Sequence, residues 1–141
     1  MKNRVARNGV FETNSSSSHS ITIAQGEYVP DKIAVVDGVC KVFPGEFGWE
    51  VESHYDAATK ASYCLTRAKN GANAEWEEML REVIAEATGA ASIEFVPSDD
   101  EWGYIDHQSY DVADEAFAGK DTLRAFIFNP ASVLRTDNDN H

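Results

Sequence analysis

Residues 32–43 read KIAVVDGVCKVF. Two runs rich in β-branched residues flank Asp37-Gly38, and Asp-Gly supplies the positive φ angles that a two-residue hairpin turn requires. The stretch predicts a β-hairpin over about 32–43, with roughly 32–36 paired to 39–43 and Pro44-Gly45 ending the second strand. Upstream, Ser20–Ala24 alternates polar and apolar residues, a strand period that turns Ile21 and Ile23 the same way. Downstream, GEFGWEVESHY (45–55) alternates as well. It fits either another strand or a loop pinned by Phe47 and Trp49.

Helical signals follow. Asp56 is placed as an N-cap, Ala57, Ala61, Cys64, Leu65 and Ala68 recur at helical spacing, and Gly71 stops the run. Asn73 caps the next helix, whose apolar stripe is Trp76, Met79, Leu80, Val83, Ile84 and Ala87, with Gly89 at its end. The other face carries Glu75, Glu78, Glu82 and Glu86. Together they predict a helical hairpin over about 56–88 lying on a sheet. SIEFV (92–96) returns to strand character, and DVADEAFAG (111–119) reads as a short third helix with Val112, Ala113, Ala116 and Phe117 on one side. TLRAFIFNP (122–130) is apolar enough for a central strand ended by Pro130, and TDNDNH (136–141) reads as a disordered tail. The expected class is α+β: one domain over 1–135, with a small mostly antiparallel sheet and helices packed on it.

Composition fits one domain. The chain has 141 residues, 43% hydrophobic and 26% charged, enough for a single core. No run approaches the roughly 18 apolar residues of a membrane span, and the basic start, MKNRVARNGVF, lacks the apolar run of a secretory signal, which points to the cytoplasm. Cys40 and Cys64 lie in apolar patterns and read as buried free thiols. Net charge is −12; with Lys2, Arg4 and Arg7 set aside, nine basic residues face 24 acidic ones, a net of −15. Such a body repels a phosphate backbone, so direct nucleic-acid binding is disfavoured, and it attracts basic protein surfaces. The same acidity also serves solubility.

Four stretches could carry chemistry. Glu12, Thr13, Asn14, Ser15, Ser16, Ser17, Ser18, His19 and Ser20 form a polar loop bracketed by Phe11 and Ile21. Hydroxyls and backbone N–H groups suit an anion, and a serine beside a histidine is the elementary pairing of nucleophile and base. In YIDHQSYD (104–111), Asp106 stands next to His107 and can orient its imidazole, while Ser109 and Asp111 also suit a helix cap. His54 and Asp56 open the first long helix. In GEFGW (45–49), Phe47 and Trp49 near Glu46 could wall a carboxylate and raise its pKa, or simply fill the core while Glu46 faces water. No HExxH, CxxC or zinc-finger spacing is present, so no metal is assigned, and no motif names a cofactor.

RNGVFETNSSSSHSITI (7–23) resembles the opening of a group of small bacteriophage and prophage proteins of unknown function, and GEFGW and IDHQS look like later parts of the same pattern. The resemblance implies a phage-type accessory protein working in a bacterial host, and supplies no reaction.

Two functional expectations result. One is a non-enzymatic accessory protein whose acidic helix face, Glu75, Glu78, Glu82 and Glu86, engages a host or phage protein with a basic surface, with inhibition of that protein as one outcome. The other is a small enzyme or nucleotide-binding protein. There His19 or His107 would be the acid–base group, with Asp106 orienting it. Glu12, Asn14, Ser15, Ser16, Ser17, Glu46, Trp49 and Ser109 would line the ligand site for phosphate or acyl chemistry.

Overall fold

The structure is a computed structural model that describes residues 20–47, 52–98, 101–105 and 113–136. Strands β1 (Ser20–Thr22), β2 (Val39–Val42), β3 (Glu46–Phe47) and β4 (Glu52–His54) precede helices α1 (Ala57–Asn70) and α2 (Ala74–Thr88). Strands β5 (Ser92–Phe95) and β6 (Tyr104–Ile105), a 3-10 turn (Glu115–Ala118), helix α3 (Lys120–Phe128) and strand β7 (Val133–Thr136) follow. The class is α+β, as the sequence predicts. The strands divide into an antiparallel sheet of order β1-β7-β4 and two parallel pairs, β2-β5 and β3-β6.

The helical hairpin forms with the caps its sequence carries. The Asp56 carboxylate accepts the Thr59 N–H at 2.9 Å, and the Asn73 side-chain oxygen accepts the Trp76 N–H at 3.0 Å. Gly89, at φ +76°, closes α2 in the left-handed conformation that favours glycine. α1 is the central helix: Ala57, Ala61, Tyr63, Cys64, Leu65 and Ala68 are all fully buried, as are Lys60 and Thr66. Cys40 and Cys64 are buried free thiols, and burial pushes both upward in pKa.

The segment 122–128 is helix rather than central strand. Leu123, Ala125, Phe126, Ile127 and Phe128 are buried, and a short apolar run of this kind has no periodicity that separates a strand from a buried helix. The polar residues decide it. Lys120, Asp121 and Arg124 fall on one face at helical spacing, and Lys120 and Arg124 meet the Glu82 and Glu86 carboxylates of α2. The strand the sequence needs is β7, the middle strand of the antiparallel sheet, with Leu134 fully buried. Thr136 ends β7 and is 3% exposed, so it belongs to the fold and not to a tail. In the segment of the short third helix, Ala113 and Asp114 are α-helical and Glu115–Ala118 continue as a 3-10 turn, whose Phe117 stacks on Trp76 at 4.5 Å.

The hairpin is corrected in part. Asp37 (φ 54°) and Gly38 (φ 79°) make the turn, and Val36 and Val39 exchange both backbone hydrogen bonds at 2.9 Å. The ladder stops there. Residues 32–35 leave β2 because Asp31 is held elsewhere. Its N–H donates to the Phe128 carbonyl at 2.8 Å, and its carboxylate accepts the Ala57 N–H at 2.8 Å. β2 pairs in parallel with β5 instead, Val39 opposite Ser92 through Val42 opposite Phe95.

Candidate functional site

The acidic face of α2 lies as the spacing predicts, but part of it is already occupied. Lys120 lies 2.9 Å from Glu86 and 3.6 Å from Glu82, Arg124 also bonds Glu86, and Arg81 lies 3.8 Å from Glu78. The hydrogen bond from Lys120, with the charges of Lys120 and Arg124, holds the Glu86 carboxyl below its usual range, and the same bond raises Lys120. Glu75 is exposed and makes no ion pair among the described residues.

Other cations are drawn inward. Arg67 bonds Asp114 at 2.7 Å and lies over Trp76, 5.4 Å from its ring centre. Lys69 pairs with Glu77 at 2.8 Å and sits 4.1 Å from the Trp102 ring centre, and Arg81 lies 4.3 Å from that of Phe95. By contrast, Glu27, Asp37, Glu46, Glu75, Glu94 and Glu101 are exposed and make no ion pair among the described residues. Lys32, Lys41 and Arg135 are exposed cations with no ion pair among the described residues, so unpaired carboxylates outnumber unpaired cations on the described surface.

Strand alternation separates Glu46 from its aromatic neighbour. Glu46 faces out, while Phe47 is buried and packs edge-on to Tyr63 at 5.1 Å and His54 at 6.4 Å. His54 lies 3.2 Å from the Glu52 carboxylate. Gly103 passes beneath the β3 entry at φ +74°, where a Cβ would stand 2.2 Å from the Gly45 carbonyl oxygen, so only glycine fits.

Glu12, Asn14, Ser15, Ser16, Ser17 and His19 lie outside the described residues, as do Trp49, Asp106, His107 and Ser109 and the tail beyond Thr136. Among the described residues no group of three or more His, Cys, Asp or Glu side chains is placed to hold a metal ion. No described helix is long and apolar enough to cross a membrane.

Two further features were not read from the sequence. The first is a buried polar node around Lys60. Its Nζ donates to the Asn129 and Ser132 carbonyls, both at 2.9 Å. Asn129 Nδ2 donates to the Ala24 carbonyl at 3.0 Å, the Ala24 N–H donates to Ser132 Oγ at 2.9 Å, and Ser132 Oγ donates to the Ala125 carbonyl at 2.7 Å. Burial lowers the Lys60 pKa to about 8, against the opposing pull of Asp31 and Asp56. The sequence signal is that Lys60 stands three residues after Ala57 and four before Cys64, inside the apolar stripe.

The second feature is a recess of about 190 Å³ between the diverging hairpin arm and β2, over the start of α1. Its lining includes Ile33 on one side, Lys41, Val42 and Phe43 on the other, and Ala58 and Ser62 beneath. Comparison with protein-family models, curated proteins and solved structures finds no match.

Proposed function

We propose that this protein is a small acidic, non-enzymatic accessory protein of phage type that acts in the bacterial cytoplasm by engaging a basic surface on a host protein. One observation carries the reading: among the described residues Arg67, Lys69, Arg81, Lys120 and Arg124 are ion-paired within the fold, and the exposed carboxylates without an ion-pair partner outnumber the exposed cations without one, Lys32, Lys41 and Arg135. With a net charge of −12, such a surface speeds encounter with a basic partner and sets its orientation. Glu75 and Glu78 are the part of the α2 face not tied to α3, so they are the contact residues expected to matter most.

The test is capture of proteins from bacterial lysate on the immobilised chain across a salt titration. Screening shrinks the reach of exposed charges from roughly 10 Å at 0.1 M salt to roughly 3 Å at 1 M. Retention of a basic protein that fades with salt and is lost in the double variant Glu75→Lys/Glu78→Lys supports the proposal. An empty low-salt eluate contradicts it. A thermal-shift screen with nucleotides and divalent metals is the complementary measurement, because a ligand that binds only the folded chain raises Tm. Such a rise would favour an enzyme or nucleotide-binding protein instead.

A further inference from the structure

The parallel register of β2 closes through alternate residues. The Gly38 carbonyl accepts the Ser92 N–H at 3.1 Å and the Val42 carbonyl accepts the Val96 N–H at 3.0 Å, so Cys40 and Val42 turn their main-chain groups toward β5. Val39 and Lys41 turn theirs to the opposite edge. Val39 is met there by Val36, but the N–H and C=O of Lys41 have no backbone partner among the described residues. An unpaired edge of this kind is a template for another strand.

The recess lies along that same edge. In hairpin register Ile33 would stand opposite Val42; the arm's departure leaves the space between them open. The floor is open because α1 shows it small side chains, Ala58, Ala61 and Ser62, at positions i, i+3 and i+4. Beside it Phe43 is 49% exposed and Val36 is 68% exposed.

We infer that the open edge of β2 and the recess beside it form a strand-addition site for an extended peptide segment of a partner protein, with an apolar side chain seated over Ala58 and Ser62 and a carboxylate opposite Lys41. Main-chain bonds to Lys41 hold the segment, and the recess selects its inward side chain, which is the division of labour in strand-addition recognition. The Lys41 side chain is exposed and makes no ion pair among the described residues, so a carboxylate opposite it is the complementary choice. A second copy of this chain is the poorer occupant. Antiparallel pairing of two β2 edges centred on Lys41 sets like charges directly opposite, between bodies that each carry −12. The inference rests on β2 and not on the α2 glutamates, so the two proposals fail separately.

The probes are two blocked synthetic peptides, Thr-Leu-Asp-Leu-Thr and Thr-Leu-Lys-Leu-Thr, titrated into the full-length protein labelled for amide NMR. The expected result is that the Asp peptide shifts resonances at Ile33, Lys41, Phe43, Ala58 and Ser62 and slows exchange of the Lys41 amide, with the Lys peptide weaker. Lys41→Pro is the decisive variant: it removes the outward N–H, which β5 does not use, and proline is tolerated at that kind of edge position. It should keep the fold and weaken binding by about tenfold or more. Ala58→Leu, which fills the recess from an exposed helix position, should do the same, and Lys41→Glu should reverse the peptide preference. Shifts elsewhere, binding untouched by Lys41→Pro in a folded protein, or no shifts with either peptide would overturn the inference. So would line broadening that grows with protein concentration without peptide, the sign of a second copy, or a Lys41 amide already protected by closure of the 32–35 arm.

Discussion

The Lys60 node and the β2 edge pose the same problem to the chain and receive opposite answers. At the node, a lysine, a serine and an asparagine bring side-chain donors to the carbonyls of a helix end and a corner, beside the main-chain bonds that the Ala125 and Asn129 carbonyls already accept. At the edge, a strand keeps one residue's donor and acceptor open, with an apolar recess beside them. Asp31 links the two. By capping α1 and bonding the end of α3 it anchors the corner, and by the same anchoring it draws the hairpin arm off β2. The open edge is therefore a consequence of how the core is tied together.

That contrast can be broken from either side. The largest effect is expected at the node. Lys60→Met keeps the bulk and removes both bonds; the Asn129 carbonyl keeps the Ser132 N–H, but the Ser132 carbonyl loses its Lys60 donor, at a cost of about 1–3 kcal/mol in urea unfolding. A variant as stable as the parent would show that the node is incidental.

Next comes pH. The Lys60 pKa is lowered to about 8 in the fold from 10.5. Between those values the unfolded chain binds more protons, so this group makes stability rise with pH. The neutral amine still has two N–H donors for its two carbonyls, so the bonds survive deprotonation. Cys64 and Tyr63, both raised by burial, act in the opposite sense as pH climbs through their unfolded pKa values. Subtracting the Lys60→Met profile from the parent's removes those contributions. The difference should move in the parent's favour above about pH 8, and a flat difference would contradict the assignment.

Asp31→Ala should cost about 1–2 kcal/mol through the lost contact with the Ala57 N–H. It should also free the 32–35 arm to close on β2, raising protection of the Lys41 amide. Lys41→Pro is the smallest, within about 0.5 kcal/mol of the parent, because no ladder bond is lost. A cooperative unfolding curve displaced well beyond that would mean the edge is in use.

What the sequence showed was local. Asp56, Gly71, Asn73 and Gly89 mark the helix ends because a cap acts within one turn of its own position. Asp37-Gly38 marks the turn for the same reason. What it hid was set at long range. Whether 32–36 zips onto β2 depends on Asp31 reaching α1 and α3, and whether 122–128 is helix or strand depends on Lys120 and Arg124 meeting Glu86. Val133–Thr136 passed unread as a strand since its four residues carry too short an alternation to stand out. The glutamates of α2 are legible as a face, but their partial occupation by α3 is not, because the apolar run 122–128 has the look of a strand in the sequence.

The most direct measurement is native-state amide hydrogen exchange across β2. The Cys40 and Val42 amides, bonded to β5, should be strongly protected, and the Lys41 amide between them should exchange orders of magnitude faster, close to the rate of an exposed loop. Equal protection at all three positions would mean that the edge is closed in the free protein, and would contradict the account of both the fold's open strand and the site built on it.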